Sequence, residues 1–375
     1  MTSSFLSDKN KQHCCGCESC ANSCPQKCIF MTNDSEGFLY PKIDLNNCAH
    51  CDLCSKACPY SNTSKVTLFK PSAYAAYLND DDVRKHSSSG GLFSFFAEKI
   101  LEKNGIVYGA AFDKQWDVVH LAIERKEDLP KLRGSKYVQS KIGDIFADVK
   151  TKLDNNRLVY FSGTPCQITG LKLFLGKQYP NLILQDIICH GVPSPKIWQL
   201  YLDSKKAQIN KINFRDKSSG WLNYSFNFNN HRQAHTKNKF MAAFLHNLSL
   251  RPSCYSCPTK GLIRNSDFTL GDLWGANTLV SKEMNDNKGL SLLIINSEKG
   301  RAFFNEYKYY LVYKEIDFEK AISFNGSFSN CSILPIERGD FFKEISSKNF
   351  NKVVDKYCKR YRVSFFKRIK NKIFR

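Results

Sequence analysis

The feature that most limits this chain is a cysteine run that occurs twice. Cys14, Cys17, Cys20 and Cys24, followed by Pro25, spell C-x2-C-x2-C-x3-C-P, and Cys48, Cys51, Cys54, Cys58 and Pro59 repeat it without a departure. A thiolate at every third residue wraps a short loop around one face of an iron-sulfur cube, and the proline turns the chain away. In two-cluster folds of this type the fourth cysteine of each run serves the other cluster. The spacing predicts one 4Fe-4S cluster on Cys14, Cys17, Cys20 and Cys58 and a second on Cys48, Cys51, Cys54 and Cys24. Structural zinc is the competing reading. It usually takes two C-x2-C knuckles separated by a longer loop, which three cysteines at successive x2 spacings fit poorly. Cys15 and Cys28 fall outside the spacing and read as small apolar packing residues near the clusters. Between the runs, Asn33 to Gly37 reads as a hairpin turn before Phe38-Leu39-Tyr40-Pro41. Two clusters about 10 Å apart in so short a domain form a wire, and a wire needs something at its far end.

Composition bears on what that something is. The chain has 375 residues, room for two or three domains, and its 42% hydrophobic content excludes wholesale disorder. The start, MTSSFLSDKNKQ, has no apolar h-region, and no stretch reaches the roughly 18 to 20 apolar residues of a membrane span. A cytoplasmic, reducing location is expected, where cysteines serve as metal ligands or redox groups rather than disulfides.

After Tyr60, Ser61 to Lys65 reads as a linker, and the rest reads as a larger α/β domain (α+β overall). Ser89-Gly90-Gly91 opens a helix with Leu92, Phe95, Phe96, Ile100 and Leu101 on one face. A second helix is expected from Ile142 through Leu153, leading into the strand Leu158 to Phe161. That strand ends in Gly163-Thr164-Pro165-Cys166, a helix follows through Leu171 and Leu175, and an apolar strand from Leu182 ends at Cys189-His190-Gly191. This is a βαβ unit with parallel strands, so Cys166 and Cys189 are expected close together on the edge where open α/β sheets bind ligands. Cys254 and Cys257 add a C-x2-C pair, making four thiolates. Spacing alone leaves a third cluster, a zinc knuckle and unliganded buried cysteines all open. Ser88-Ser89-Gly90-Gly91 and Gly163-Thr164 each suit a dinucleotide pyrophosphate at a helix N-terminus, or an ordinary cap or turn.

In order along the chain stand the doubled cysteine run with Gly37-Phe38-Leu39-Tyr40-Pro41, then Ser88 to Gly91, Leu132 to Ser140, Ser162 to Ile168, Cys189 to Ser194, Cys254 to Cys257 and Gly271 to Gly275. Together they resemble the coenzyme F420 hydrogenase/dehydrogenase beta-subunit family, in the form with an N-terminal two-cluster ferredoxin domain. The resemblance implies FAD in the larger domain and a third 4Fe-4S cluster on Cys166, Cys189, Cys254 and Cys257. It also implies flavin contacts from Ser88, Ser89, Gly90, Gly91, Ser135, Lys136, Gly163 and Thr164. Lys136 would serve the flavin ring or its phosphates, and otherwise is a solvated loop lysine. His190 is the candidate proton donor, with a structural role as the alternative. The resemblance leaves the acceptor open among a deazaflavin, other pigments and surface-polysaccharide intermediates. Asn213 to Lys217, followed by Gly220-Trp221, is similar to the polysaccharide-associated members and equally suits a strand end and turn.

The domains expected are 1–62 (two-cluster ferredoxin), 70–345 (FAD and iron-sulfur) and 346–375 (a basic amphipathic helical tail). From Lys359 to Arg375 there are eight basic residues and no acidic one, and without them the net charge of +20 becomes +12. Phe366, Ile369 and Ile373 share a helical face, which suits an anionic membrane surface at the inner face of a membrane; a solvated tail is the alternative, and nucleic acid is not expected. Two functions follow. One is an FAD- and iron-sulfur-dependent oxidoreductase with its own small-molecule substrate, an electron donor or acceptor protein or a reduced coenzyme at its other end. The other is an electron-transfer subunit of a larger complex. A third reading, clusters as structural staples, requires no flavin.

Overall fold

Two stretches with the same cysteine spacing build the same local structure twice. Glu18 and Asp52, each one residue after the second cysteine of its run, take left-handed backbone with φ 61° and 59°, and each opens a single-turn helix, Ser19–Asn22 and Leu53–Lys56. The strands Ile29–Asn33 and Leu39–Ile43 pair antiparallel between the runs. Their turn is closed by the Asp34 carboxylate, which accepts from the N–H groups of Glu36 and Phe38 at 3.0 and 2.9 Å. The computed structural model describes residues 5–62, 69–345 and 350–358.

The larger part is built on an eight-stranded mixed sheet. Its order across the sheet is Leu311–Ile316, Ser72–Leu78, Ser291–Ile295, Phe268–Asp272, Leu182–Ile187, Val159–Gly163, Ile106–Phe112, Val118–Ile123. The four strands from Phe268–Asp272 to Ile106–Phe112 are parallel, and antiparallel pairs flank them on both sides. Neighbouring residues of a strand point to opposite faces. Val107, Tyr160 and Ile183 therefore join Phe95, Phe96 and Phe304 in one core, while Tyr108, Phe161 and Leu184 join Phe146, Ile168 and Leu171 in the other. Coverage on both faces explains why these strands read as continuous apolar runs.

The βαβ unit is as expected, with its helix at Pro165–Leu175 and Tyr160 in register with Ile183. The second helix is shorter than its periodicity suggests, running Ile145–Asp154. Ile142 and Gly143 stay outside it because their N–H groups go to the Glu18 carboxylate at 2.7 and 3.1 Å.

The cysteine-rich head is packed into the body. Phe38 and Tyr40 are buried in one core with Trp198, Tyr201, Phe214, Phe240 and Phe341, which also takes in residues of the three-stranded sheet Ile212–Asp216, Ser225–Phe228, His231–Ala234. Two glycines permit the close approach. A Cβ on Gly170 would come within 2.9 Å of Cys17 Sγ, and one on Gly37 within 2.4 Å of Lys196 Cβ. Ser19 Oγ donates to the Gly170 carbonyl at 2.8 Å, setting the first thiol ring one turn from Cys166. Among the described residues no helix is long and apolar enough to cross a membrane. The basic helical face of the tail lies outside them; of 346–375 only 350–358 is described, as helix.

Candidate functional site

The thiols of the head gather in two groups that mix the two runs. Burial pushes the Cys20 thiol well above its ordinary range, and the thiols of Cys14 and Cys58 raise it further. Cys17 is raised by burial and by Cys58. Cys24 of the first run lines a recess with Cys48, Cys51 and Cys54 of the second. In the fold Cys58 thus lies with thiols of the first run, and Cys24 with those of the second. The two groups differ in exposure, Cys17 being buried and Cys51 exposed. Cys28 sits beside the second group, its Sγ 3.3 Å from that of Cys24.

Cys166, Cys189, Cys254 and Cys257, drawn from three separated segments, line one recess of about 460 Å³ that is continuous with solvent. Cys166 is in the first turn of the helix after Val159–Gly163, and Cys189 follows the end of Leu182–Ile187. Cys254 lies in the 3-10 turn Pro252–Ser256 with Cys257 just after it. Burial pushes the Cys189 thiol up to about 12, with Cys166 and Cys257 adding to the rise and Lys260 opposing it. A ring of mutually repelling thiols keeps its protons until a cation replaces them, which couples metal uptake to proton release. Among the described residues no three His, Cys, Asp or Glu side chains converge on a single-ion site.

Cys15 and Tyr60 join this recess to the head. Cys15 is hydrogen-bonded to Cys166 and buried with Cys17 and Tyr60, against Cys58 and Cys166. Burial raises the Tyr60 phenol, and the thiols of Cys15, Cys257, Cys166 and Cys254 act in the same direction. Cys15 thus sits between the thiols of the head and the recess, whose wall it also lines.

His190 lines the same recess. Its Nε2 faces Asn247 Oδ1 at 2.6 Å and its Nδ1 faces Ser327 Oγ at 3.4 Å. Asn247 Nδ2 donates to the Ile333 carbonyl, which leaves Oδ1 to accept from the histidine. Burial lowers the His190 pKa, and both ring nitrogens face side-chain partners that anchor the ring.

The serine and glycine segments also assemble. Ser88 Oγ accepts from the Ser135 N–H at 2.7 Å and lies 2.8 Å from Ser135 Oγ. Gly90 N–H donates to Ser291 Oγ, and Gly91, at φ 89°, caps the helix Leu92–Glu102. Beneath them Lys217 Nζ donates to the carbonyls of Arg84, Ser89 and Lys288, and burial pulls its pKa down to about 7. Arg215 lies two residues back and pairs with Asp272 at 2.8 Å. Its Nε and Nη2, and the hydroxyl of Ser89, are buried with no hydrogen-bond partner among the described residues.

Two of the expected contacts are used otherwise. Lys136 is partly buried and turned back on the chain: Nζ donates to the carbonyls of Lys131, Leu132 and Arg133 at 2.9 to 3.1 Å, and desolvation lowers its pKa to about 7. Thr164 and Gln167 form a reciprocal capping box, with Gln167 Oε1 accepting from the Thr164 N–H at 3.0 Å. The Gly163-Thr164 turn is therefore a helix cap, and Thr164 Oγ1 lies 3.1 Å from Cys166 Sγ.

His120, unremarked in the sequence, is fully enclosed nearby, with Nε2 3.0 Å from the Ser162 carbonyl and the ring stacked on Phe161. Burial lowers its pKa to about 4. An unfolded histidine binds a proton below about 6.5 and the folded one does not until about 4. Stability is therefore expected to fall as pH drops from 6.5 to 4. Urea denaturation across that window should give a flatter profile for His120→Gln; equal slopes would contradict this.

Residues 13–62 match the 4Fe-4S dicluster domain. Residues 73–146 match the N-terminal part, and residues 156–320 the C terminus, of the coenzyme F420 hydrogenase/dehydrogenase beta subunit. No curated protein matches the chain. A chain of the F420-reducing [NiFe] hydrogenase complex from Methanosarcina barkeri, in a xenon-derivatised structure, aligns with TM-score 0.46 and 16% identity, over 70% of this chain and 91% of that one. The doubled cysteine domain on its α/β body defines an iron-sulfur electron-transfer protein of oxidoreductase type. The chain belongs to the coenzyme F420 hydrogenase/dehydrogenase beta-subunit family, with a 4Fe-4S dicluster domain at its N-terminal end.

Proposed function

We propose that this chain is an iron-sulfur flavoprotein oxidoreductase whose cofactors form a line from the exposed Cys51 end of the head to the larger domain. The outer cluster is held by Cys24, Cys48, Cys51 and Cys54, the inner one by Cys14, Cys17, Cys20 and Cys58, and a third by Cys166, Cys189, Cys254 and Cys257. The observation that carries this order is the buried contact of Cys15 and Tyr60 with both Cys17 and Cys166, which packs the inner ring against the third recess.

FAD is held on the larger domain by the loop Ser88 to Gly91 with Ser135. The unpartnered Ser89 hydroxyl and Arg215 N–H groups fit an anionic group such as a pyrophosphate. Bound flavin supplies the junction between one-electron carriage by clusters and two-electron hydride chemistry. The chain's own residues position these groups and exclude water. His190, held by Asn247, orients the recess wall rather than moving a proton. The acceptor is a small molecule that takes up hydride, a deazaflavin of the kind in the family's name or a surface-polysaccharide intermediate. The electron donor docks at the outer cluster, where Phe30, Leu45 and Leu53 are exposed on the same small head.

The test is reduction of the anaerobically purified chain by a chemically reduced ferredoxin, with bound flavin followed by absorbance. Flavin is expected to be reduced in the wild type and at least tenfold more slowly in Cys20→Ala, which keeps its flavin. A chain that yields no flavin on acid extraction overturns the catalytic reading and leaves the electron-relay subunit.

A further inference from the structure

We propose that Arg251 is a positioning residue that raises the reduction potential of the inner head cluster. The inference rests on the reading of Cys14 as a ligand of the inner cluster.

Arg251 is fully buried where the head meets the larger domain. Its Nε donates to the Cys14 carbonyl at 2.6 Å, Nη1 to Gln139 Oε1 at 2.9 Å, and Nη2 to the Leu39 carbonyl at 2.8 Å and to Cys14 Sγ at 3.4 Å. The guanidinium lies over the ring of Tyr40 at 4.3 Å, and a Cβ on Gly16 would collide with it at 2.6 Å.

Every direct partner of this cation is formally neutral. Among the described residues it has no carboxylate within ion-pair distance. Glu18, the carboxylate that feels its field, spends its oxygens on the N–H groups of Ile142 and Gly143. A buried guanidinium without a counter-charge is costly. A thiolate-ligated cluster is anionic, so binding one at Cys14 supplies the missing charge. The same attraction is stronger for the reduced cluster, which carries one more electron, so the cation favours reduction. Hydrogen bonds to cluster sulfurs and net charge are the levers that set such potentials, and here both come from one side chain. Cys48 is the outer run's counterpart of Cys14, and its thiol interacts with that of Cys28.

The test is a redox titration of the purified holoprotein, read by electron paramagnetic resonance, on Arg251→Gln and Arg251→Lys, with iron counted in each. Arg251→Gln is expected to shift one cluster negative, so that at the wild-type midpoint its ratio of reduced to oxidised form falls about tenfold, which is about 59 mV for a one-electron couple. The other clusters should hold their potentials. Arg251→Lys keeps the charge but cannot reach all four acceptors, and should shift the same cluster by less than half as much. Unchanged potentials, or all clusters moving together, overturn the proposal. If Arg251→Gln loses iron, Arg251→Lys decides: a shift confined to one cluster supports it, and none overturns it. Cys14→Ala separates the two readings, because full iron in that variant would show that the assigned ring, rather than the role of Arg251, is at fault.

Discussion

Cys254→Ala is expected to lower the iron content from about twelve to about eight per chain, four irons for each cluster. The chain should otherwise remain folded. Cys254 is one of five cysteines lining the recess, with Cys15, Cys166, Cys189 and Cys257, and the Val192 N–H points at its Sγ from 3.4 Å, the kind of donor that a ligating thiolate accepts. Removing the sulfur leaves three ligands for a cube that needs four. The head's rings are made of other residues and should keep their iron. Cys15→Ala is the control. Cys15 touches Cys166 and is buried like Cys17, yet it falls outside the cysteine spacing and the four assigned ligands of the recess, so its loss should leave about twelve irons. Iron determination on both variants checks this. Equal iron in Cys254→Ala and the wild type would remove the third cluster, and iron loss in Cys15→Ala would redraw the ring.

The second large effect is expected at the joint between head and body. Arg338 donates bidentately to Glu36 of the head's hairpin turn, at 2.9 and 2.6 Å, and also to the Leu250 carbonyl and the Tyr255 hydroxyl. Both side chains are mostly buried, with 9% and 17% of their surface exposed. Truncating one partner of such a pair strands the other charge, at a cost of about 3 kcal/mol. Arg338→Ala should therefore lower the urea midpoint markedly, and Glu36→Gln, which keeps a hydrogen-bonding group, should do so less. The double replacement Glu36→Leu with Arg338→Met should recover most of the loss, because no charge is left buried. A single Arg338→Ala within a few tenths of a kcal/mol of wild type would contradict the joint.

What could be read from the sequence was what depends on neighbours along the chain. The cysteine spacing, the turn at Asn33 to Gly37 and the strand-helix-strand unit around Cys166 are local patterns, and the fold follows them. Cys166 and Cys189 could be placed together because parallel strands of a βαβ unit end on one edge. The rest depends on contacts across long stretches of chain. Ile142 has a helical pattern, but a carboxylate from Glu18 takes its N–H. Lys136 reads as a loop lysine, yet it folds back onto three carbonyls left open at the end of the helix Leu129–Leu132. Arg251 stands three residues before Cys254, and its partner Cys14 lies 237 positions away. The outer strands Ser72–Leu78 and Leu311–Ile316 pair with each other from opposite ends of the larger domain. No periodicity within either strand specifies that partner.

The most direct test of the central claim is to quantify iron, acid-labile sulfide and flavin together on the anaerobically purified chain. Three clusters in line with a flavin predict about twelve irons, about twelve sulfides and one FAD per chain. About eight irons with no flavin would contradict it, leaving a two-cluster electron carrier whose larger domain holds no redox group.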